Sequence, residues 1–328
     1  MAYTTIDNPE LYFQVKTYTG NGTAIGSGGL ANTFDGDENM QPDLVWIKAR
    51  ADTESHKLYD SVRGVTKDLE SDLSTAENTN TEGLTTFGSD GFTIGNYSSI
   101  NASTQTYVAW CWKESATAGF DIVAYTGNST ARTISHSLSA VPHMMIFRNR
   151  SNSTTAWNWG VYHQAIGNTH KLHLNDAEAK ADNATVFNDT TPTSSVFSVG
   201  TWGGTNYNTD AIISYLWSEK QGFSKFGSFV GNGNASGPTI WTGMRVAWLM
   251  VRRSNSTGNW MVIDNKRVGY NEDNRDFKIN NNDAERVVDQ ADLLSNGFKV
   301  RTTSTDWNTS GGTYIYMAFA EAPFVNSN

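Results

Sequence analysis

The sequence has a single cysteine, Cys111, which excludes an intramolecular disulfide and any cysteine-based zinc cage. It lies between two tryptophans in the stretch from Tyr107 to Trp112 and reads as a small buried residue rather than a reactive thiol. No apolar run approaches the ~20 residues a membrane helix needs. Met1 to Glu10 has neither a basic n-region nor an apolar h-region, so neither membrane insertion nor standard secretory export is expected. Charged residues are only 17%, the net charge is −9, and no Lys/Arg run stands out; a phosphate-tracking nucleic-acid surface needs the opposite sign. Heptads, collagen triplets and a Pro-rich stalk are missing, which removes the usual trimerisation devices of long fibres. Nucleophile-elbow, P-loop and H-E-x-x-H motifs are missing as well.

Gly, Ser, Thr and Asn are abundant instead, and aromatics reach 12% with 11 Trp. Small polar residues with many aromatics suit an all-β chain with long loops. They suit disorder poorly, because disordered chains lack aromatic and β-branched residues.

The chain repeats itself. Phe87 to Trp112 reads as strand, small-residue loop, strand, and the pattern returns at Val196–Trp217 and Gly297–Phe319. Aligning the closing strands places Trp112, Trp217 and Phe319 in one register, 105 and 102 residues apart. Each copy opens with an aromatic strand and a Gly-Asn turn, at Phe13–Thr23, Phe120–Thr130 and Phe223–Asn234, which is a hairpin signal. A compact apolar strand follows, ending on Lys48, Arg148 or Arg252, and its unbroken apolar run predicts cover on both faces. A third strand then leads to segments closing on Ala76-Glu77, Ala177-Glu178 and Ala284-Glu285. Helical periodicity is absent. The fold expected is all-β, three self-contained tandem β-sandwich modules, jelly-roll or lectin-like, of about 100 residues each. They occupy 13–113, 120–217 and 223–324, after a docking leader at 1–12. The short linkers at 113–119 and 218–222 imply that modules pack together, as a rod or around a pseudo-threefold axis.

A feature present in all three copies serves the fold, so chemistry is sought in what one copy has alone. Five of six histidines fall in the second copy: His136, His143, His163, His170 and His173. His170 and His173 sit three apart in an extended segment and face opposite sides, a poor spacing for one metal, and no metal site or cofactor is expected. Asp60, His163 and Asp264 occupy equivalent places, and the exchange of acid for imidazole suggests a surface or loop role. Asp60, Asp264, Glu77 and Glu285 are the acids to nominate for glycoside cleavage, though nothing in the sequence fixes their spacing. Aromatics in Asn/Ser/Thr-rich loops are the better handle: Tyr97, Trp157, Trp202, Tyr207, Tyr270 and Trp307 are candidates for stacking on sugars or contacting a protein. Trp202 and Trp307 read as occupying comparable loops. Tyr12 and Phe13 are the docking candidates of the leader.

The segments Phe13–Thr23, Pro42–Lys48, Leu58–Gly64, Ser89–Gly95, Asn101–Lys113, Asn188–Gly200, Leu293–Arg301 and Ser310–Phe324 resemble a repeat-containing family of virion structural proteins of tailed, especially marine, bacteriophages. The resemblance covers essentially the whole chain. It implies a non-enzymatic protein on the particle exterior, assembled in the host cytoplasm, with other tail or capsid proteins as partners. A host glycan or receptor is the further partner, and the protein is expected to be homo-oligomeric on the particle. A tail-fibre or receptor-binding role comes first, capsid decoration second and a glycan-cleaving depolymerase third. The third copy departs from the pattern at Val246, where Pro42 and Pro142 stand in the others.

Overall fold

A computed structural model of the chain describes residues 4–323 apart from 153–154, 268–270 and 272–274. The protein is all-β, with several antiparallel sheets. One six-stranded strand order occurs three times. The first sheet runs Phe13–Thr19, Thr106–Trp112, Leu44–Ala49, Lys57–Asp60, Lys67–Glu70, Asn78–Thr79. The second runs Phe120–Thr126, Ala211–Trp217, Met144–Asn149, Gly160–His163, His170–His173, Ala181–Asp182. The third runs Ser224–Val230, Thr313–Pro323, Met244–Arg253, Trp260–Asp264, Arg275–Lys278, Arg286–Val287. A smaller sheet of two or three strands lies over each.

Each opening strand pairs with the closing strand of its own copy, Phe13 with Trp112 and Phe120 with Trp217. The Gly-Asn turns therefore do not close hairpins, contrary to the sequence reading. They lead the chain out of the large sheet toward the small one, and a buried asparagine holds each turn. The Asn101 side chain accepts from the Asn21 amide (2.8 Å) and donates to the Gly95 carbonyl (2.8 Å). Asn206 does the same with Asn128 and Gly200 (3.0 and 2.7 Å). Asn308 does so with Asn232 and Thr302 (2.8 and 2.9 Å). Where Pro42 and Pro142 end ladder pairing in two copies, Val246 lets the third copy's strand start four residues earlier, at Met244, with a bulge.

Alternation along the central strands feeds two cores. In Thr106–Trp112, Val108, Trp110 and Trp112 point to one face, and Tyr107, Ala109 and Cys111 to the other. The outer face of each large sheet packs under its small sheet in a core of its own. The inner faces differ from expectation: all three drain into one shared core that includes Trp46, Trp110, Trp159, Trp217, Trp248 and Trp260. The copies are thus not self-contained. No sheet buries its inner face alone: Trp46 and Trp110 touch within the first copy, but Trp110 also meets Trp248 and Trp112 meets Trp217 across the copies. The closing aromatics meet there, Trp112 lying 6.2 Å from Trp217 and 5.6 Å from Phe319, centroid to centroid.

The contacts close a cycle. Trp159 Nε1 donates to the Glu70 carbonyl (3.0 Å), and Trp260 Nε1 donates to the His173 carbonyl (2.7 Å). At the corresponding place His56 sets its Nε2 3.2 Å from the Lys278 carbonyl, while its Nδ1 takes the Trp46 indole proton. The second copy thus reaches the first, the third the second, and the first the third. The strand-end cations lie in the same seams. Arg148 and Arg252 each donate to a carbonyl of the preceding copy, Thr75 and Glu178, and burial pushes both guanidiniums down to about 10.

Candidate functional site

The seams account for the acids nominated for glycoside cleavage. Asp60 pairs with Arg63, which also reaches Glu77 (3.2 Å), and Glu77 takes a two-pronged contact from Arg150 across the seam (2.7 and 2.8 Å). Asp264 repeats this with Arg267 (2.8 Å), Glu285 (3.2 Å) and Arg50 (2.9 and 3.0 Å). The two aspartates also accept from Tyr215 (2.7 Å) and Trp110 (2.9 Å) of the neighbouring copy. Asp60, His163 and Asp264 are therefore buried seam residues, not the surface or loop residues the acid–imidazole exchange suggested, because their partners lie on the adjoining sheet. Every nominated carboxylate is paired with arginine. Alignment by contacts also corrects the Ala-Glu pattern. Glu77, Lys180 and Glu285 donate their amides to Arg150, Ser254 and Arg50, so Lys180 rather than Glu178 is the second copy's counterpart.

What the second copy has alone lies on the outer face of its sheet. In the strand His170–His173, Leu172 enters the shared core, while Lys171 and His173 stand together on the other side. Trp202 covers them. The Lys171 ammonium is 5.3 Å from its ring centroid, and the His173 ring stacks on it at 5.9 Å and 18°. Lys171 also meets His173 Nε2 directly. Trp157 abuts Trp202 edge-on at 5.9 Å, and Tyr207 lies 6.2 Å from Trp157. Room for the indoles comes from glycine: a Cβ on Gly203 would stand 2.2 Å from the Trp157 ring, and one on Gly204 2.1 Å from Trp202. Burial, helped by the Lys171 charge, lowers His173 to about 4, so its ring is neutral and can accept from the lysine. Burial also lowers Lys171.

The other copies fill this place differently. Strand pairing aligns Lys171 with Asp68 and Asp276, and His173 with Glu70 and Lys278. In the first copy, Lys57 sits 5.0 Å from the Tyr97 ring and is neutralised by Asp68 (3.5 Å) and Glu70. In the third, Asp276 is held by Arg286 (2.7 Å) and Gln290 (2.9 Å). In the second copy a cation replaces one acid and a neutral imidazole the other. Among the described residues no carboxylate contacts Lys171; Asp176 and Glu178 act on it only at longer range. With His173 those two acids form the one trio of grouped metal-type donors among the described residues. Its Nε2 already accepts from Lys171, which leaves the ring proton on Nδ1 and no free lone pair for a metal, so the trio makes a poor cation site.

Of the six aromatics picked from the sequence, Trp157, Trp202 and Tyr207 come together in this half-buried cluster, and Tyr97 marks the corresponding place in the first copy. Trp307 is 0% exposed and belongs to the third outer core, so it is withdrawn as a contact residue. The residue equivalent to Trp202 is Ser304, since their carbonyls accept from the paired asparagines Asn206 and Asn308. Tyr270 lies outside the described residues. Of the docking pair, only Tyr12 keeps partial exposure. Phe13 is 3% exposed and stacks on Phe319 at 5.0 Å, while Tyr12 packs against the shared core, edge-on to Phe223 at 6.1 Å. Ile6 of the leader is buried there too. Sequence reasoning missed Lys171, whose signal was the loss of the acids at Asp68 and Asp276, and Trp241. Trp241 is 69% exposed, and the period-2 reading of Thr239–Trp241 around buried Ile240 would have placed it outside.

Antiparallel sheets around a shared aromatic core, with ionised groups spent on seams, define an all-β scaffold with one distinctive aromatic–basic cluster. The chain belongs to the family described as domain of unknown function DUF7483, whose model matches residues 8–323. No curated protein matches it.

Proposed function

We propose that the protein is a non-enzymatic structural and attachment component of a phage particle's exterior, made of three tandem β-sandwich modules of about 100 residues that close head to tail. The observation that carries the attachment reading is the cluster of Trp157, Trp202 and Tyr207 with Lys171 and His173, which sits on a sheet braced from behind by the shared core. Rigidly held aromatics bind with little loss of side-chain freedom. The phage setting rests on the sequence resemblance alone. The non-enzymatic reading draws support from the arginine partners of Asp60, Asp264, Glu77 and Glu285. A tail role with a host glycan or receptor as target comes first. Capsid decoration is second. A cryo-EM map of particles carrying the chain tests both: density at the tail supports attachment, density on the capsid lattice replaces it with decoration, and a chain missing from purified particles overturns both.

A further inference from the structure

We propose that the second copy's cluster is a binding site for an acidic saccharide, in which Lys171 pairs with the sugar's carboxylate or sulfate while Trp157 and Tyr207 carry the ring. This rests on the attachment reading and names its ligand class.

Three observations lead to it. Lys171 is only 9% exposed, yet among the described residues its ammonium meets an imidazole and an indole face and no carboxylate. A cation so enclosed costs free energy unless an anion joins it. The first copy shows the self-sufficient alternative, with Lys57 under Tyr97 balanced by Asp68 and Glu70. Reversal of charge at one acid position and its loss at the other leave the second copy's site short of an anion. Second, Trp157 Nε1 is buried without an acceptor among the described residues, a spare donor on the ring that abuts Trp202. Third, Trp157 and Tyr207 are half-buried neighbours with 40° between their planes, and aromatic faces at a site's edge suit the apolar face of a sugar ring. The acids of this region do not cancel the lysine. Glu178 approaches the Nδ1 side of His173 at 3.8 Å, opposite the nitrogen that Lys171 occupies, and its side chain is 69% exposed.

Binding to the full chain is measured by tryptophan fluorescence and calorimetry with three probes: a galacturonic acid trisaccharide, a heparin-derived sulfated tetrasaccharide and neutral maltotriose. At least one acidic probe is expected to bind ten-fold or more tighter than maltotriose and to weaken as salt is raised. Which acidic probe binds separates carboxylate from sulfate. Lys171→Met should cost at least ten-fold for the acidic probe, Lys171→Arg should retain most of the affinity, and Tyr207→Ala should weaken all probes alike. Circular dichroism checks that each variant is folded, and Tyr207→Ala with the salt dependence still decides if Lys171→Met unfolds. Equal binding of neutral and acidic probes, indifference to Lys171→Met in a folded protein, or no binding by any probe overturns the proposal. None of these results moves the chain's position on a particle, so the attachment reading stands or falls separately.

Discussion

Two of the three seams carry a buried ionic chain, and one does not. Asp60–Arg63–Glu77–Arg150 joins the first copy to the second, and Asp264–Arg267–Glu285–Arg50 joins the third to the first. Between the second and third copies the corresponding residues are His163, Ile166, Lys180 and Ser254, and all four members have changed together. The seam without an ionic chain keeps the backbone bond from Lys180 to Ser254 (2.9 Å), and its buried His163, lowered to about 4 by burial, contacts the Tyr316 carbonyl (3.2 Å). Closure therefore depends on the aromatic core and the backbone, which all seams share. The ionic chain is an all-or-none alternative: desolvating four charged groups is tolerable when each is paired and costly when one is removed.

That comparison can be broken most severely at Arg63. Arg63→Met strands Asp60 and should cost about 3–5 kcal/mol of stability in chemical denaturation. Converting the whole seam to the set found between the second and third copies, Asp60→His, Arg63→Ile, Glu77→Lys and Arg150→Ser together, should cost only about 1–2 kcal/mol despite changing four residues. If the quadruple variant is worse than the single one, the seams are not interchangeable. A smaller effect is expected where the copies agree. Asn101→Ala, Asn206→Ala and Asn308→Ala should each cost about 2–3 kcal/mol, since each leaves buried backbone groups unpaired. Matching losses would show that the turn clamp, unlike the ionic chain, is common to all three.

Acid titration sharpens the contrast further. Burial alone would raise Glu77 and Glu285, but their arginine partners hold both below the usual carboxylate range. A carboxylate depressed in the folded state contributes stability above its unfolded pKa of about 4.3 and loses it as pH falls through the folded value. Denaturation midpoints followed from pH 6 to 2 should fall less steeply for the quadruple variant. The smallest effect is a gain. Lys180→Glu with Ser254→Arg installs the outer half of the chain in the seam between the second and third copies and should add about 0.5–1 kcal/mol, read as a raised Tm at low salt that fades as salt increases.

Much of this architecture was legible in the sequence. The register of Trp112, Trp217 and Phe319 located three residues that meet in the core, and the runs ending at Lys48, Arg148 and Arg252 gave central strands buried on both faces. The all-β class followed from composition. What failed were pairings between distant residues. The Gly-Asn turn looks like a hairpin locally, and only Asn101, eighty residues on, redirects it. Trp307 looked like a loop aromatic because loop composition does not reveal which way a ring points. The site was half legible: its aromatics stood out, but Lys171 gains meaning only beside Asp68 and Asp276, once strand pairing shows that the three share one place.

The seam joining the first copy to the third sets a timetable for synthesis. Arg50 and His56 leave the ribosome early, yet their partners Glu285 and Lys278 emerge more than 200 residues later. Until then the inner face of the first sheet, with Phe13, Trp46 and Trp110, is covered only in part by the second copy, since Trp248 and Phe319 complete its enclosure. Contacts of such long sequence separation form slowly and leave apolar surface bare meanwhile. A nascent chain arrested after the second copy would present that surface to chaperones, and release of the last strand, Thr313–Pro323, is the event that ends its exposure.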